Sequence, residues 1–210
     1  YGTTRHQKNN VPASIQWARA QFPGVTYRYG TPLAPHAQLI ELLSLRVGQT
    51  IADAPDAFPP EETAVLVVGR GSSDPTSNSE VARTAYLLYE RRSYVAVMYA
   101  FRAVARPNIS DGLRRCAALG AKQVIVVPYI LFTGKVIEDI RSASRKTDDK
   151  LGIQVLHALY LGVHPLLLDV AAQRLQEAID GTANMTCDIC KYRYPMAGYE
   201  HQVGQPQETH

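Results

Sequence analysis

A chain of 210 residues, 46% hydrophobic and 20% charged, is an ordinary globular sequence, long enough for one full core and part of another. Its formal charge of +3 is spread along the chain, which argues against a nucleic-acid partner with its dense basic footprint and suits an anionic small molecule. No apolar run reaches the roughly 18 residues of a membrane span, no secretory leader pattern opens the sequence, and Cys116, Cys187 and Cys190 are too few for a disulfide framework; a cytoplasmic chain with no membrane partner is expected.

The opening stretch His6-Gln7-Lys8-Asn9-Asn10-Val11-Pro12 leads into a helix, with Pro12 near its first turn and Ile15, Trp17, Ala18 and Phe22 as its apolar side. Pro23-Gly24 stops it. Val25 to Tyr29 alternates apolar with polar residues and predicts a strand, after which Gly30 to Pro35 turns into a helix over about 36–47. Residues 48–62, with Ala54-Pro55 and Phe58-Pro59-Pro60, lack periodicity and read as a linker. The continuous apolar run Ala64–Val68 then has the composition of a strand buried on both faces of a parallel sheet. Further strands are predicted at 94–100, 123–128 and 153–160, and helices at 76–91, 107–118, 135–146 and 165–179. This alternation predicts an α/β, doubly wound, Rossmann-like parallel sheet, in which ligands bind beyond the carboxyl ends of the strands. The loops at 69–75, 101–107, 129–136 and 160–164 are where chemistry is expected.

The sequence also repeats. Gly24 to His36 aligns without gaps on Gly152 to His164, an offset of 128, and each copy runs on into an apolar-periodic helix with Leu39, Ile40, Leu42 and Leu43 in one and Leu166, Leu167, Leu168 and Val170 in the other. Upstream, His6…Asn10-Val11 matches Lys135…Asp139-Ile140 at an offset of 129. The expectation is two units related by an internal repeat. Residues 1–47 would be the C-terminal remnant of the first, 48–62 the linker, 63–181 the complete second unit and 182–210 a tail. The first unit is incomplete in this chain, so its remaining strands would lie upstream or come from another chain.

Four runs in order carry a family resemblance: Gly69-Arg70-Gly71-Ser72-Ser73, Ala100-Phe101-Arg102-Ala103, Val126 to Gly134 with Glu138-Asp139-Ile140, and Met185-Thr186-Cys187-Asp188-Ile189-Cys190. Together they resemble the long-form sirohydrochlorin cobaltochelatases of the class II tetrapyrrole chelatase family, which implies two chelatase-like units and ATP-independent insertion of Co²⁺ into sirohydrochlorin in cobalamin biosynthesis. The same chemistry with iron, giving sirohaem, is the nearest alternative. A non-catalytic iron–sulfur or tetrapyrrole-binding protein is the other. The spacing of Gly-Arg-Gly-Ser is not that of a nucleotide loop.

The family's motifs H-G-S, F-x-E and G-x-H-x-x-x-D-I-P bring two histidines and an acid to one cleft. In the second unit Arg70, Ala103 and Lys135 stand at those positions. The first unit keeps the third motif as His6…Asn10-Val11-Pro12, with Asn10 in place of the acid. His6 is therefore the expected catalytic residue, as cobalt ligand and proton acceptor, because imidazole titrates near neutrality and binds borderline divalent metals while lysine and arginine cations do neither. A solvated residue near a chain terminus is the plainer reading. Arg70 and Lys135 are expected to hold carboxylates of the substrate, beside the alternative of a degenerate structural copy. Ser72, with Ser73, would bind an anion through the backbone N–H groups of a turn before a helix.

In the resembling family M-x-C-x-x-C ligates an iron–sulfur cluster, matched here by Met185 to Cys190, so Cys187 and Cys190 are the expected cluster ligands. Two thiolates are half of the usual four; the rest would come from His201 or from a second chain, making the tail, like the incomplete first unit, a route to a dimer. A reversible dithiol is the simpler alternative. His36 and His164 read as helix caps, His157 as strand filler and Cys116 as a buried inert thiol.

Overall fold

The computed structural model describes residues 6–90, 93–148, 150–184, 201, 203 and 204. Four parallel strands, β1 (Thr63–Gly69), β2 (Ala96–Phe101), β3 (Gln123–Pro128) and β4 (Gln154–His157), form one sheet in the order β2-β1-β3-β4. β1 and β3 are buried throughout, as their unbroken apolar sequences require. Val65 lies opposite both Val97 and Ile125, and Leu66 opposite both Met98 and Val126. The odd and even residues of β1 therefore enter two different cores.

Helices α1 (Val11–Gln21), α2 (Ala37–Ala52), α3 (Pro75–Tyr89), α4 (Ile109–Ala118), α5 (Lys135–Asp148) and α6 (Pro165–Asp180) complete the described elements, with a π-helical turn at His6–Asn10 and a 3₁₀ turn at Pro60–Glu62. Val65, Val67, Ile125 and Val127 meet Leu39, Leu42, Leu43 and Val47 of α2, Val81 and Leu88 of α3, and Leu167 and Val170 of α6. Ala64, Leu66, Val68, Val124 and Val126 meet Leu113 and Cys116 of α4 and Ile140 of α5 on the other face. Burial pushes the Cys116 thiol up to about 12, so it stays protonated and packs as a small apolar group.

Helix starts follow their capping residues. The Asp74 carboxylate accepts from Thr76 N–H at 3.0 Å at the start of α3, and Asn108 with Asp111 forms a reciprocal capping box on α4. His36 and His164 cap α2 and α6 in the same way, each Nδ1 accepting the N–H two residues on at 3.2 Å.

Four expectations need correction. Val25 to Tyr29 is not a strand: no strand among the described residues lies beside it to supply a ladder, and alternation without a hydrogen-bonded neighbour leaves only irregular chain. β4 stops at His157 instead of running to residue 160, because its register on β3 ends at the Val126–His157 pair. The helix expected to end at 47 continues to Ala52, since Val47 and Ile51 still face the core, and the irregular connection begins only at Asp53. α2 thus packs directly into the core of the sheet that follows it. The side of α1 read as apolar leaves Trp17 and Phe22 exposed, and Ala13 is its buried residue.

Candidate functional site

β1 ends in Gly69-Arg70-Gly71-Ser72-Ser73, where the apolar run gives way to a turn before α3. Gly71 has φ +86°, and a Cβ there would lie 1.8 Å from the Ala103 carbonyl oxygen. Only glycine allows the turn to press so closely on the loop after β2. Two backbone bonds seal that contact: Arg102 N–H donates to the Gly69 carbonyl at 2.9 Å and Ala103 N–H to the Arg70 carbonyl at 3.1 Å. Beyond them Ala105 N–H donates to the Ala103 carbonyl at 2.7 Å, a γ-turn that holds Val104 at φ +68°. That conformation is strained for a β-branched residue and belongs to the rim of a site.

The strand ends enclose a cavity of about 620 Å³, within the range that holds a drug-sized ligand. Arg70, Ser72, Ser73 and Arg102 line it together with Val104, Tyr129 and Phe132. Its walls are mostly apolar and aromatic, with the guanidinium groups of Arg70 and Arg102, the Glu80 carboxylate and the polar Ser77 and Asn78 among them. Arg102 donates to the Asp139 carboxylate, and Lys135 approaches the other oxygen of that carboxylate at 3.3 Å. The Arg102 hydrogen bond, and Lys135 behind it, hold the Asp139 carboxyl below its ordinary range. Arg70 has no acidic partner among the described residues.

Of the residues expected at the site, Arg70 and Ser72 come together at the cavity. Lys135 does not line it; its side chain is 81% exposed at the start of α5 and reaches the cavity only through Asp139 and Arg102. Ser72 has its hydrogen-bonding groups engaged. Its N–H donates to Asn78 Oδ1 at 3.0 Å, its carbonyl accepts from Asn78 Nδ2 at 2.8 Å, and its hydroxyl accepts from Asp74 N–H at 3.0 Å. The serine builds the turn, and its amide is not available to an anion. His6 begins the π-helical turn that leads into α1, an element found disproportionately at functional sites. Its side chain lies outside the described residues, as do Cys187 and Cys190.

Sequence reasoning missed Arg102, because the F-x-E pattern marks only the flanking Phe101 and Ala103 and leaves the middle position without a signal of its own. It also missed a buried ion pair, Lys8 Nζ to Asp74 Oδ2 at 2.9 Å, which joins the His6 turn to the cap of α3. The signal available was Asp74-Pro75, a cap and first-turn pair that explains one carboxylate oxygen and leaves the other to be accounted for. Among the described residues no three His, Cys, Asp or Glu side chains converge as metal ligands. No described helix is long and apolar enough to cross a membrane.

Comparison with known proteins agrees with this architecture. The chain is 36% identical over 189 residues to a sirohydrochlorin cobaltochelatase of Priestia megaterium, covering 90% of this chain and 61% of that protein. It is 31% identical over 192 residues to a sirohydrochlorin ferrochelatase of the same organism, covering 90% of this chain and 69% of the other. The structure of SirB from Bacillus subtilis with Fe³⁺ superposes with a TM-score of 0.70 at 25% identity, over 87% of this chain and 71% of that one. The chain therefore spans about three fifths of the length of the first of these relatives and somewhat over two thirds of the second. The CbiX family profile matches residues 2–50 and 64–178, and the chain belongs to the CbiX family.

Proposed function

We propose that this chain carries out ATP-independent insertion of Co²⁺ into sirohydrochlorin, as a step of cobalamin biosynthesis, with His6 as metal ligand and acceptor of the pyrrolic protons. The observation that carries the reading is the cavity at the carboxyl ends of β1 and β3, apolar enough for a macrocycle and furnished with Arg70 and Arg102 for its carboxylates. A guanidinium within about 4 Å of a carboxylate contributes roughly 1 kcal/mol in water and about 4 at an effective dielectric near 20. Arg70 is the stronger binder of the two, since Asp139 already offsets Arg102. Lys135 tunes that arrangement through Asp139, and Ser72 shapes the wall. Imidazole suits the chemistry because it holds a divalent ion loosely and accepts a proton near neutral pH.

Iron in place of cobalt is the second reading, favoured by the ferrochelatase relative and by the Bacillus subtilis SirB structure with Fe³⁺. Purified chain, sirohydrochlorin and either Co²⁺ or Fe²⁺ in a steady-state assay test both. Insertion is expected with the parent chain, and His6→Ala is expected to lower kcat at least about a hundredfold. No product with either metal, or a His6→Ala variant at the parent rate, overturns the reading.

The two-unit repeat belongs to the same proposal. Its support is threefold. His36 and His164, 128 residues apart, cap their helices identically. Arg46 and Arg174, again 128 apart, each reach the side-chain oxygen three residues on, Gln49 at 3.2 Å and Glu177 at 2.6 Å. Each also crosses to the chain leading into the other's helix, Arg46 to the Leu161 carbonyl at 2.9 Å and Arg174 to the Pro32 carbonyl at 2.8 Å. An iron–sulfur cluster at Cys187 and Cys190 rests on their spacing and on the match of Met185 to Cys190 to the family's M-x-C-x-x-C, and Cys116 does not fit as a further ligand because it is fully buried among the core side chains. Visible absorption after anaerobic iron–sulfide reconstitution tests it: a spectrum unchanged in C187S/C190S removes the cluster.

A further inference from the structure

Lys8 follows His6 by two residues and is 3% exposed in its side chain; its partner Asp74 is 0% exposed. Taking two ions out of water is costly, and well-packed apolar residues of similar volume usually hold two elements together as well or better. A cap alone does not require a carboxylate either, because Asn, Ser or Thr serves at that position. The two oxygens of Asp74 serve separately: Oδ1 accepts from Thr76 N–H at 3.0 Å, and Oδ2 lies 2.9 Å from Lys8 Nζ as an ion-pair contact. What the charge pair adds is an electrostatic tie between the start of α3 and the turn that carries His6.

The same pair is tied to the cavity. Asp74 N–H donates to Ser72 Oγ at 3.0 Å, and Asn78 grips Ser72 at both its N–H and its carbonyl. Ser72, Ser73 and Arg70 form one wall of the cavity. A second anchor holds the other side of the turn, where the Tyr29 hydroxyl donates to the Gln7 carbonyl at 2.9 Å. Residues 7 and 8, next to His6, are thus fixed from two directions, one of them leading directly to the cavity wall.

We propose that Lys8 and Asp74 are positioning residues: their buried ion pair sets the His6 turn in register with the cavity wall that receives the macrocycle. The inference rests on the reading of His6 as the catalytic histidine. Asp74→Asn alone leaves a buried ammonium without its carboxylate and is expected to lower the thermal midpoint. The decisive variant is therefore K8M/D74N in the full chain, which keeps the cap and the aliphatic stem and removes both charges.

Its thermal midpoint is expected at or near the parent value. Amide exchange over residues 6–11 is expected to rise at least about tenfold while that over 123–128 is unchanged, since only the turn is released. With Co²⁺ and sirohydrochlorin, kcat is expected to fall about tenfold with KM within about twofold, the mark of a misplaced reacting group and not of lost binding. Parent-like exchange over 6–11, or faster exchange with an unchanged kcat, overturns the inference. If His6→Ala keeps the parent rate, the reading of His6 falls and takes this inference with it; the exchange result still shows separately whether the pair anchors the turn.

Discussion

α2 and α6 have matching sequences 128 residues apart, yet only one of them is surrounded. In α2, Ile40 and Val47 are buried and Ile51 packs against the same core, on the sheet face beside β1 and β3. The residues at the matching places in α6 are Leu168, Leu175 and Ile179, and they are 56%, 63% and 51% exposed. Both helices carry the same amphipathic stripe, which dictates a helix and an apolar face but not what that face meets. For α2 that face meets a parallel sheet. Among the described residues nothing covers that row along α6.

The largest expected effect tests this contrast directly. Leu43→Ala in α2 removes a fully buried side chain and is expected to cost about 2–5 kcal/mol in denaturant unfolding. Leu175→Ala in α6 is expected to stay within about 0.5 kcal/mol, as an exposed substitution does. A comparable loss at Leu175 would show that the α6 stripe is covered in solution, and would break the contrast.

A smaller effect separates Tyr29 and His157, two positions also 128 residues apart. Burial raises the Tyr29 pKa above its ordinary value, and its hydroxyl donates to the Gln7 carbonyl. His157 on β4 is lowered to about 4, first by burial and then by Arg141 and Arg145. The folded state therefore holds fewer protons than the unfolded chain between about pH 6.5 and 4, and stability falls as pH drops through that window. His157→Gln is expected to flatten this part of the stability–pH curve; thermal midpoints at pH 7 and 4.5 for parent and variant check it, and parallel curves would dismiss the role.

Much of the sheet was legible in advance, because Ala64–Val68 and Gln123–Pro128 are apolar runs that only a doubly covered strand explains. The caps of α2 and α6 were legible for the same local reason. Val25 to Tyr29 misled because alternation describes one chain, whereas a strand is a property of two. The site was harder. Arg70 could be found from its motif, but Arg102 reaches the cavity through the glycine contact at Gly71, and Lys8 meets Asp74 across a long stretch of sequence. Neither pairing has a local pattern, so each required the folded chain.

The burial of Cys116 has a practical corollary. A thiol reagent attacks the thiolate, and a group pushed to about 12 inside the α4 core supplies almost none at neutral pH. Cys116 is therefore expected to resist alkylation until the core around it opens.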